Sequence, residues 1–550
     1  MLTRTLAPIR SRSPRTARAA RLAATVCALA VAVVVGGCGG GGKAQATSSS
    51  RAQPMETIFE AQSQLFANPG QTLDELKRIG VDDIKVFMQW NSMAPNPLGH
   101  KRPAGFDAAN PDAYPAALWA PYDEVIRAAA ARGMGVDLAL EGLAPLWATG
   151  PGVPAGTSPG FVGAWEPSAK EYGLFVQAVG KRYSGHFTPA GSPVLPAVHF
   201  WSIWNEPNYG AQLAPQAVDH STVEVSPLLY RELVDAAWTA LGQTGHGGDQ
   251  ILIGEVAPRG QTTGDQPGNF SGMVPLRFIR ALYCVDQSFH PLTGTAATLR
   301  GCPATASASK AFPSQHPGLF HASGFAVHPY PQGQVTPNVA TANEPDYADL
   351  PKLGDLESTL DGAAKAYGQD TRFPIYNTEF GYQTNPPETI QRAIPPTLAA
   401  YYLNWAEYIS WHNPRVASWD QYLLTDPTPT SKSNFDTGLE FYTGKPKNPM
   451  YDAFRMPLYL PNSTGKKGQA IDVWGCVRPV HWLKAPQVAS IQFKPAGGGP
   501  FKTIDRVTIT DKYGYFNTSA KFPSSGSVRI AWSSPGKGQF YSRVAPVTIH

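Results

Sequence analysis

The chain has 550 residues, 42% of them hydrophobic and 16% charged, with 53 glycines and 52 prolines. That exceeds one ordinary domain, supplies a sizeable core and implies many loops. The formal net charge of +4 rests on six arginines in the first 21 residues. With no acid before Cys38, losing that stretch leaves −2, which argues against a basic nucleic-acid-binding surface.

The basic start is followed by the apolar run Leu22–Val35, about 14 residues, short for a membrane span and suited to the core of an export signal. It ends Val35-Gly36-Gly37-Cys38. This resembles a bacterial lipobox, which implies a leader at 1–37, lipidation of Cys38 and attachment to a membrane. An ordinary signal peptide cut nearby is the alternative, and either implies export. Residues 38–54, rich in Gly, Ser and Ala, are expected to form a flexible tether. In an exported chain Cys284 and Cys302, close in sequence around a loop, are expected to pair as a disulfide. Cys476 is left over as a buried thiol, and no cysteine spacing suggests a metal centre.

From 55 to 461 strand-like and helix-like segments alternate, the pattern of an α/β chain with a parallel sheet. The first strand is expected within Thr57–Ala61, then a helix capped by Thr72 with Glu75 three residues on. The second strand is Asp83–Gln89, leading to Trp90. A helix over Ala116–Arg132 closes at Gly133. The third strand, Gly135–Leu140, ends at Glu141, with Trp147 shortly after. Ser168 and Glu171 form a capping box for a helix with Tyr172, Phe175, Val176 and Val179 at helical spacing.

The fourth strand, Val198–Trp204, runs into Asn205-Glu206-Pro207-Asn208. Ser226 and Pro227 open the next helix, with Ser226 as its cap. The fifth strand is Gln250–Gly254, ending near Glu255. A helix follows over Val274–Val285. The sixth, Gly324–Val327, leads into His328-Pro329-Tyr330. A helix over Leu356–Tyr367 precedes the seventh strand, Pro374–Thr378, which delivers Glu379. After a helix over Thr397–His412, the eighth strand is Val416–Leu423, carrying Trp419 and Gln421. A last helix lies near Asn448–Phe454. Eight strand–helix units in order predict a (β/α)8 barrel. After the polar linker Ser463–Gly468 the pattern changes to short alternating strands, and 468–550 is expected to be a small β-sandwich that packs against the barrel or acts as a spacer, with carbohydrate binding as the alternative.

Two glutamates at strand ends, 173 residues apart, are the candidate chemistry. Cleaving a glycosidic bond needs one carboxyl that gives a proton to the leaving oxygen and one carboxylate that meets the developing cationic carbon. Asn205-Glu206-Pro207 after strand four, Thr378-Glu379 after strand seven and His328-Pro329-Tyr330 after strand six resemble clan A glycoside hydrolases, families 5 and 39 in particular, over about 55–461. The resemblance implies a carbohydrate substrate, no metal and no cofactor, with Glu206 as acid/base and Glu379 as nucleophile. It further implies that Asn205 binds a sugar hydroxyl, that Tyr330 supports the nucleophile beside His328, and that Trp419 and Gln421 contact the reacting sugar. Lys85 stands where many relatives have arginine. Trp90, Glu141 and Trp147 are candidates for lining the cleft.

Two other readings stay open at this stage. A transglycosylase would use the same residues with a sugar acceptor, and a binding-only surface lipoprotein would not need both glutamates. A metal-dependent barrel hydrolase is disfavoured, since strand one carries no His-x-His pair. A monomer is expected.

Overall fold

A computed structural model of the chain describes residues 46–47, 54–219, 221–261, 271–331, 336–340, 344–389, 393–429, 435–483 and 485–550. The leader, Cys38 and most of the tether lie outside them.

Eight parallel strands build the barrel: β1 (Glu56–Glu60), β2 (Asp83–Gln89), β3 (Gly135–Glu141), β4 (Phe200–Ile203), β5 (Gln250–Val256), β6 (Gly324–Val327), β7 (Ile375–Asn377) and β8 (Ser418–Tyr422). Each pairs with its sequence neighbour, and β1 pairs with β8. The ring closes where Ile375 on β7 takes the lead-in to β8: its N–H reaches the Arg415 carbonyl at 2.7 Å and its carbonyl accepts from Ala417 at 2.8 Å. The predicted fold class is therefore the observed one.

Parallel register fixes which side chains face inward, because partners across a parallel pair share a face. Ile58, Phe200, Leu252, Ala326 and Tyr376 meet as an apolar layer inside the barrel. One layer nearer the C-terminal ends the interior turns polar. Glu60 stands beside Lys85, and Lys85 beside Asp137, in register across β1, β2 and β3. This change, from hydrocarbon floor to ionisable ceiling, positions the site.

Helices wrap the barrel: α1 (Pro69–Ile79), α2 (Ala116–Arg132), α3 (Ala169–Arg182), α4 (Ser226–Gln243), α5 (Pro275–Leu282), α6 (Leu353–Lys365), α7 (Pro396–His412) and α8 (Met450–Arg455). The Ser168 cap holds, its hydroxyl accepting from the Glu171 N–H at 3.3 Å. Two expected caps do not. Helix α1 starts at Pro69 behind Asn68, whose side chain accepts from Gln71 N–H, so Thr72 is one turn inside and bonds back to the Asn68 carbonyl. Proline at the first turn was the stronger start signal. Ser226 opens α4 as its first residue and makes no capping bond; Val225 occupies the cap position.

The C-terminal region forms two sheets around their own core, antiparallel except for two short parallel pairings in the larger one. The smaller has β9 (Leu458–Tyr459), then β11 (Ala470–Cys476) and β14 (Tyr515–Lys521). The larger contains β10 (Thr464–Gly465), β12 (Gln487–Pro495), β13 (Lys502–Ile509), β15 (Gly526–Ser534), β16 (Gly538–Tyr541) and β17 (Ala545–Ile549), with Ala46–Thr47 on its edge. Val473, Ile491, Val507, Phe516, Val528 and Ile530 lie in the shared core. The first of these strands, β9, precedes the expected linker at 463–468.

The sandwich packs on the barrel's N-terminal end and on α7 and α8. Arg478 bonds Glu407 of α7 at 2.6 Å, Thr57 of β1 at 2.8 Å and the Phe454 carbonyl at 2.9 Å. Gly80, which ends α1 at φ +93°, admits this approach: a Cβ there would meet the Arg478 carbonyl carbon at 2.4 Å. Cys284 and Cys302 form the expected disulfide, and Cys476 is a free buried thiol.

Candidate active site

The strand ends deliver the functional side chains. β4 stops at Ile203, and the chain turns sharply through Trp204 (φ +68°) and Glu206 (φ +39°), backbone that non-glycine residues adopt at a cost. The turn is held from outside. Glu206 N–H reaches the Glu255 carbonyl at 2.9 Å. The buried Asn208 side chain bonds both the carbonyl and the N–H of Ala257, at 3.1 and 2.8 Å. Asn208 is thus a clasp between the β4 and β5 loops.

Glu379, following β7, comes to the same place. One oxygen of Glu206, one of Glu379 and a ring nitrogen of His328 lie within 4.8 Å of one another. His328 Nδ1 is 3.1 Å from Glu206 Oε1 and 2.9 Å from Glu379 Oε2, while Nε2 is 2.8 Å from Glu255 Oε2. The Tyr330 hydroxyl donates to Glu379 Oε1 at 3.0 Å. Glu255 also takes Lys85 Nζ at 2.7 Å and the Thr378 hydroxyl at 3.0 Å. Lys85 therefore does not touch Glu379. It charges the network one step back, through Glu255.

The electrostatics follow from burial and pairing. Burial works against a charge on His328, but Glu379 and the bonds to Glu206, Glu255 and Glu379 outweigh it and hold the imidazole protonated well above its ordinary range. Burial likewise opposes ionised Glu379, and the His328 charge and bond, then Lys85 and Tyr330, bring its carboxyl below the usual glutamate value. Glu255 is held far lower still: burial opposes it, and Lys85 and His328 win. Glu141 at the end of β3 goes the other way, pushed up to about 8 by burial against the pull of Lys85.

Asn205 stands beside Glu206 with its side-chain oxygen buried and unpartnered. Trp419 and Gln421 are corrections. On β8, Ser418, Asp420 and Tyr422 pair with Glu56, Ile58 and Glu60 and share their inward face. Trp419 and Gln421 point outward, away from any sugar in the barrel. Trp419 is 1% exposed and packs on Phe380 at 4.9 Å, and Gln421 bonds the Thr437 carbonyl at 2.9 Å. A shift of one residue reverses the face. Trp90 is also core, 1% exposed among Tyr172 and Phe175. Trp147 is half-buried, edge-on to Trp90 at 6.4 Å, with its N–H on the Pro95 carbonyl. Its partners lie outside the carboxylate network.

Three residues in the site went unassigned from sequence: Glu255, Glu60 and Asp420. For Glu255 the reason is a bulge. Register slips between Ile253 and Val256, Gly254 sits at φ +106° and Glu255 at φ +47°. That turns inward a side chain which simple alternation would send out. Glu60 and Asp420 were readable in principle, as acids inside apolar strands.

No family model and no curated protein matches the sequence. Similar folds occur among solved structures. A family 39 glycoside hydrolase from Bacteroides cellulosilyticus WH2 is 13% identical, with 86% of this chain and 81% of that chain covered, at a TM-score of 0.45. The β-glycosidase from Thermosphaera aggregans is 14% identical over 71% of this chain and 84% of that chain, at 0.44. The endo-β-1,4-mannanase from Thermotoga petrophila is 12% identical over 90% of this chain and 98% of that one, at 0.39. None of these likenesses decides a reaction.

Proposed function

We propose that the chain is a retaining glycoside hydrolase, cleaving O-glycosidic bonds of an oligo- or polysaccharide by double displacement. The observation that carries this is the approach of Glu206 and Glu379, an oxygen of one within 4.8 Å of an oxygen of the other. Retaining pairs stand roughly 5–5.5 Å apart, and inverting pairs roughly 6.5–9.5 Å, to admit a water. In the first step Glu379 attacks the anomeric carbon while Glu206 gives its proton to the leaving oxygen. In the second, water gives a proton to Glu206 and displaces Glu379 from its glycosyl ester. His328 and Tyr330 hold Glu379 ionised and oriented. By the family resemblance Asn205, next to Glu206, binds a sugar hydroxyl.

Glu379→Gln is expected to remove turnover with the fold intact, read by rate and by circular dichroism. Glu206→Ala is expected to spare the first step on glycosides with good leaving groups and to regain rate with azide. Full activity in the first variant, or no azide response in the second, removes the assignment.

The three clustered donors Glu206, His328 and Glu379 would also suit a cation. A protonated His328 has no electron pair to give, which favours the hydrogen-bonded arrangement. Dialysis against EDTA is accordingly expected to leave the rate unchanged; a loss restored by a divalent cation would favour the metal.

We also propose that the protein works outside the cytoplasm, lipid-anchored through Cys38. Cys38→Ser is expected to move it from the membrane fraction to the soluble fraction of the host. Unchanged partitioning would count against the anchor.

A further inference from the structure

We propose that the outer face of the larger C-terminal sheet docks on an anionic lipid bilayer, with the Glu206–Glu379 end of the barrel turned away from the membrane. The inference goes beyond the hydrolase reading and draws on the proposed anchor only for the course of the tether.

Charge divides along the chain. Residues 462–550 carry 12 lysines and arginines against three acids, Asp472, Asp505 and Asp511, while 54–461 carry 25 against 38. The small net charge of the whole thus conceals a basic sandwich on an acidic barrel, an asymmetry that points to a polyanionic surface as partner of the basic part.

Register shows where the cations stand. Across β12, β13, β15 and β16, Ser490 pairs with Arg506 and Ala531, Gln492 with Arg529, Lys494 with Ser527, and Ala531 with Tyr541. Directly opposed residues share a face. The alternate set, Ala489, Ile491, Phe493, Val528 and Ile530, fills the core between the sheets. Lys494, Arg506 and Arg529 therefore lie together on the outer face, and no aspartate or glutamate stands on its paired positions. Asp505 pairs with Ile491, in the other set. Among the described residues the ion pairs of the sandwich are Arg478 with Glu407 and His481 with Asp82, neither on this face. Arg529 gives its Nε–H to the neutral Gln492 at 2.9 Å, and its guanidinium lies over Tyr541 at 3.7 Å and Phe501 at 4.2 Å. Val488 and Tyr541 add exposed apolar surface. Cations backed by rings suit the headgroup layer, where phosphate meets hydrocarbon.

The tether favours a bilayer over another polyanion. Ala46–Thr47 pairs in parallel with Val507–Thr508 and so extends this same sheet, beside Arg506. Cys38 comes eight residues before Ala46, a span of at most about 29 Å of extended chain. The chain leading from the anchor thus arrives at the edge of the basic face. The sandwich packs on the N-terminal end of the barrel, where Arg478 bonds Thr57, whereas Glu206 and Glu379 follow the C-terminal ends of β4 and β7.

The experiment uses residues 39–550, which hold all the described structure and lack the leader and Cys38, so failure here and failure of the anchor read out separately. Cosedimentation is measured with vesicles of phosphatidylcholine alone and with phosphatidylglycerol added, at low and high salt. Binding is expected to the phosphatidylglycerol vesicles only, and salt should release it. This comparison needs no variant. Lys494→Gln/Arg506→Gln/Arg529→Gln is expected to weaken binding at least about tenfold, with Tm close to the parent's. Lys170→Gln/Lys310→Gln/Lys365→Gln, the same loss of charge on exposed barrel lysines, is expected to leave binding unchanged. Binding to neither kind of vesicle, or equally to both, overturns the inference. So does a face variant that binds like the parent, or a barrel variant that loses as much. Tighter binding to polygalacturonate than to the vesicles also overturns it and gives the face to an acidic glycan.

Discussion

His328 touches three carboxylates, and its charge is what lets Glu379 stay ionised in a buried place. His328→Gln keeps a hydrogen-bonding side chain and removes the charge. Glu379 should then bind its proton more tightly, and the acid limb of kcat/KM should move to higher pH by about one unit. A profile that keeps its acid limb would show that His328 only fills space. Glu255 is the other half of the device, paired to Lys85 with both side chains buried. Glu255→Gln leaves an ammonium without its counter-charge and should cost about 3–5 kcal/mol of stability, measured by denaturant unfolding. At this scale the two catalytic candidates and Tyr330 could be named from sequence, because each follows an apolar strand in a short motif. The charge network could not. Glu255, Lys85 and His328 come from three strands, and nothing local announces their meeting.

At the scale of the element, the errors have one origin. A strand's alternation says that every second residue faces in, and does not say which set. On β8 the apolar Trp419 looked like the buried, functional choice, yet the outer face under the helices is the larger hydrophobic core. Trp419→Ala should therefore cost about 3–5 kcal/mol by opening a cavity in that core, with KM unaffected in the folded fraction. A raised KM with full stability would return Trp419 to the sugar. On β5 a bulge breaks alternation altogether, and only Gly254 hinted at it. A Cβ at that position would meet the Ala326 carbonyl oxygen at 2.6 Å, in backbone that L-residues avoid. Gly254→Ala should lower Tm and activity together, since it displaces Glu255 from Lys85 and His328. The helices were easier, because their apolar spacing is long and redundant; only two of their caps were misplaced.

At the scale of the whole molecule the barrel carries an excess of protonated acids. Burial first, then neighbouring charge, pushes Glu56 up to about 7, Asp137 to about 7 and Glu141 to about 8, with Glu60, Asp83 and Asp420 raised as well. The folded chain keeps these protons where the unfolded chain has released them, so stability falls as pH rises from the ordinary carboxylate range through 8. His328, also raised, pulls the same way. Tm should drop by about 5 °C or more between pH 5.5 and 8.5; a flat or rising curve would mean these groups are solvated or paired. Closing the ring is also what brings together Glu206 and Glu379, 173 residues apart in sequence, so that an oxygen of one lies within 4.8 Å of an oxygen of the other. The most direct test of that arrangement is the anomer first released from a cleaved glycoside, followed by proton NMR before mutarotation. Retention of the starting configuration is expected, and first release of the inverted anomer would contradict the double displacement.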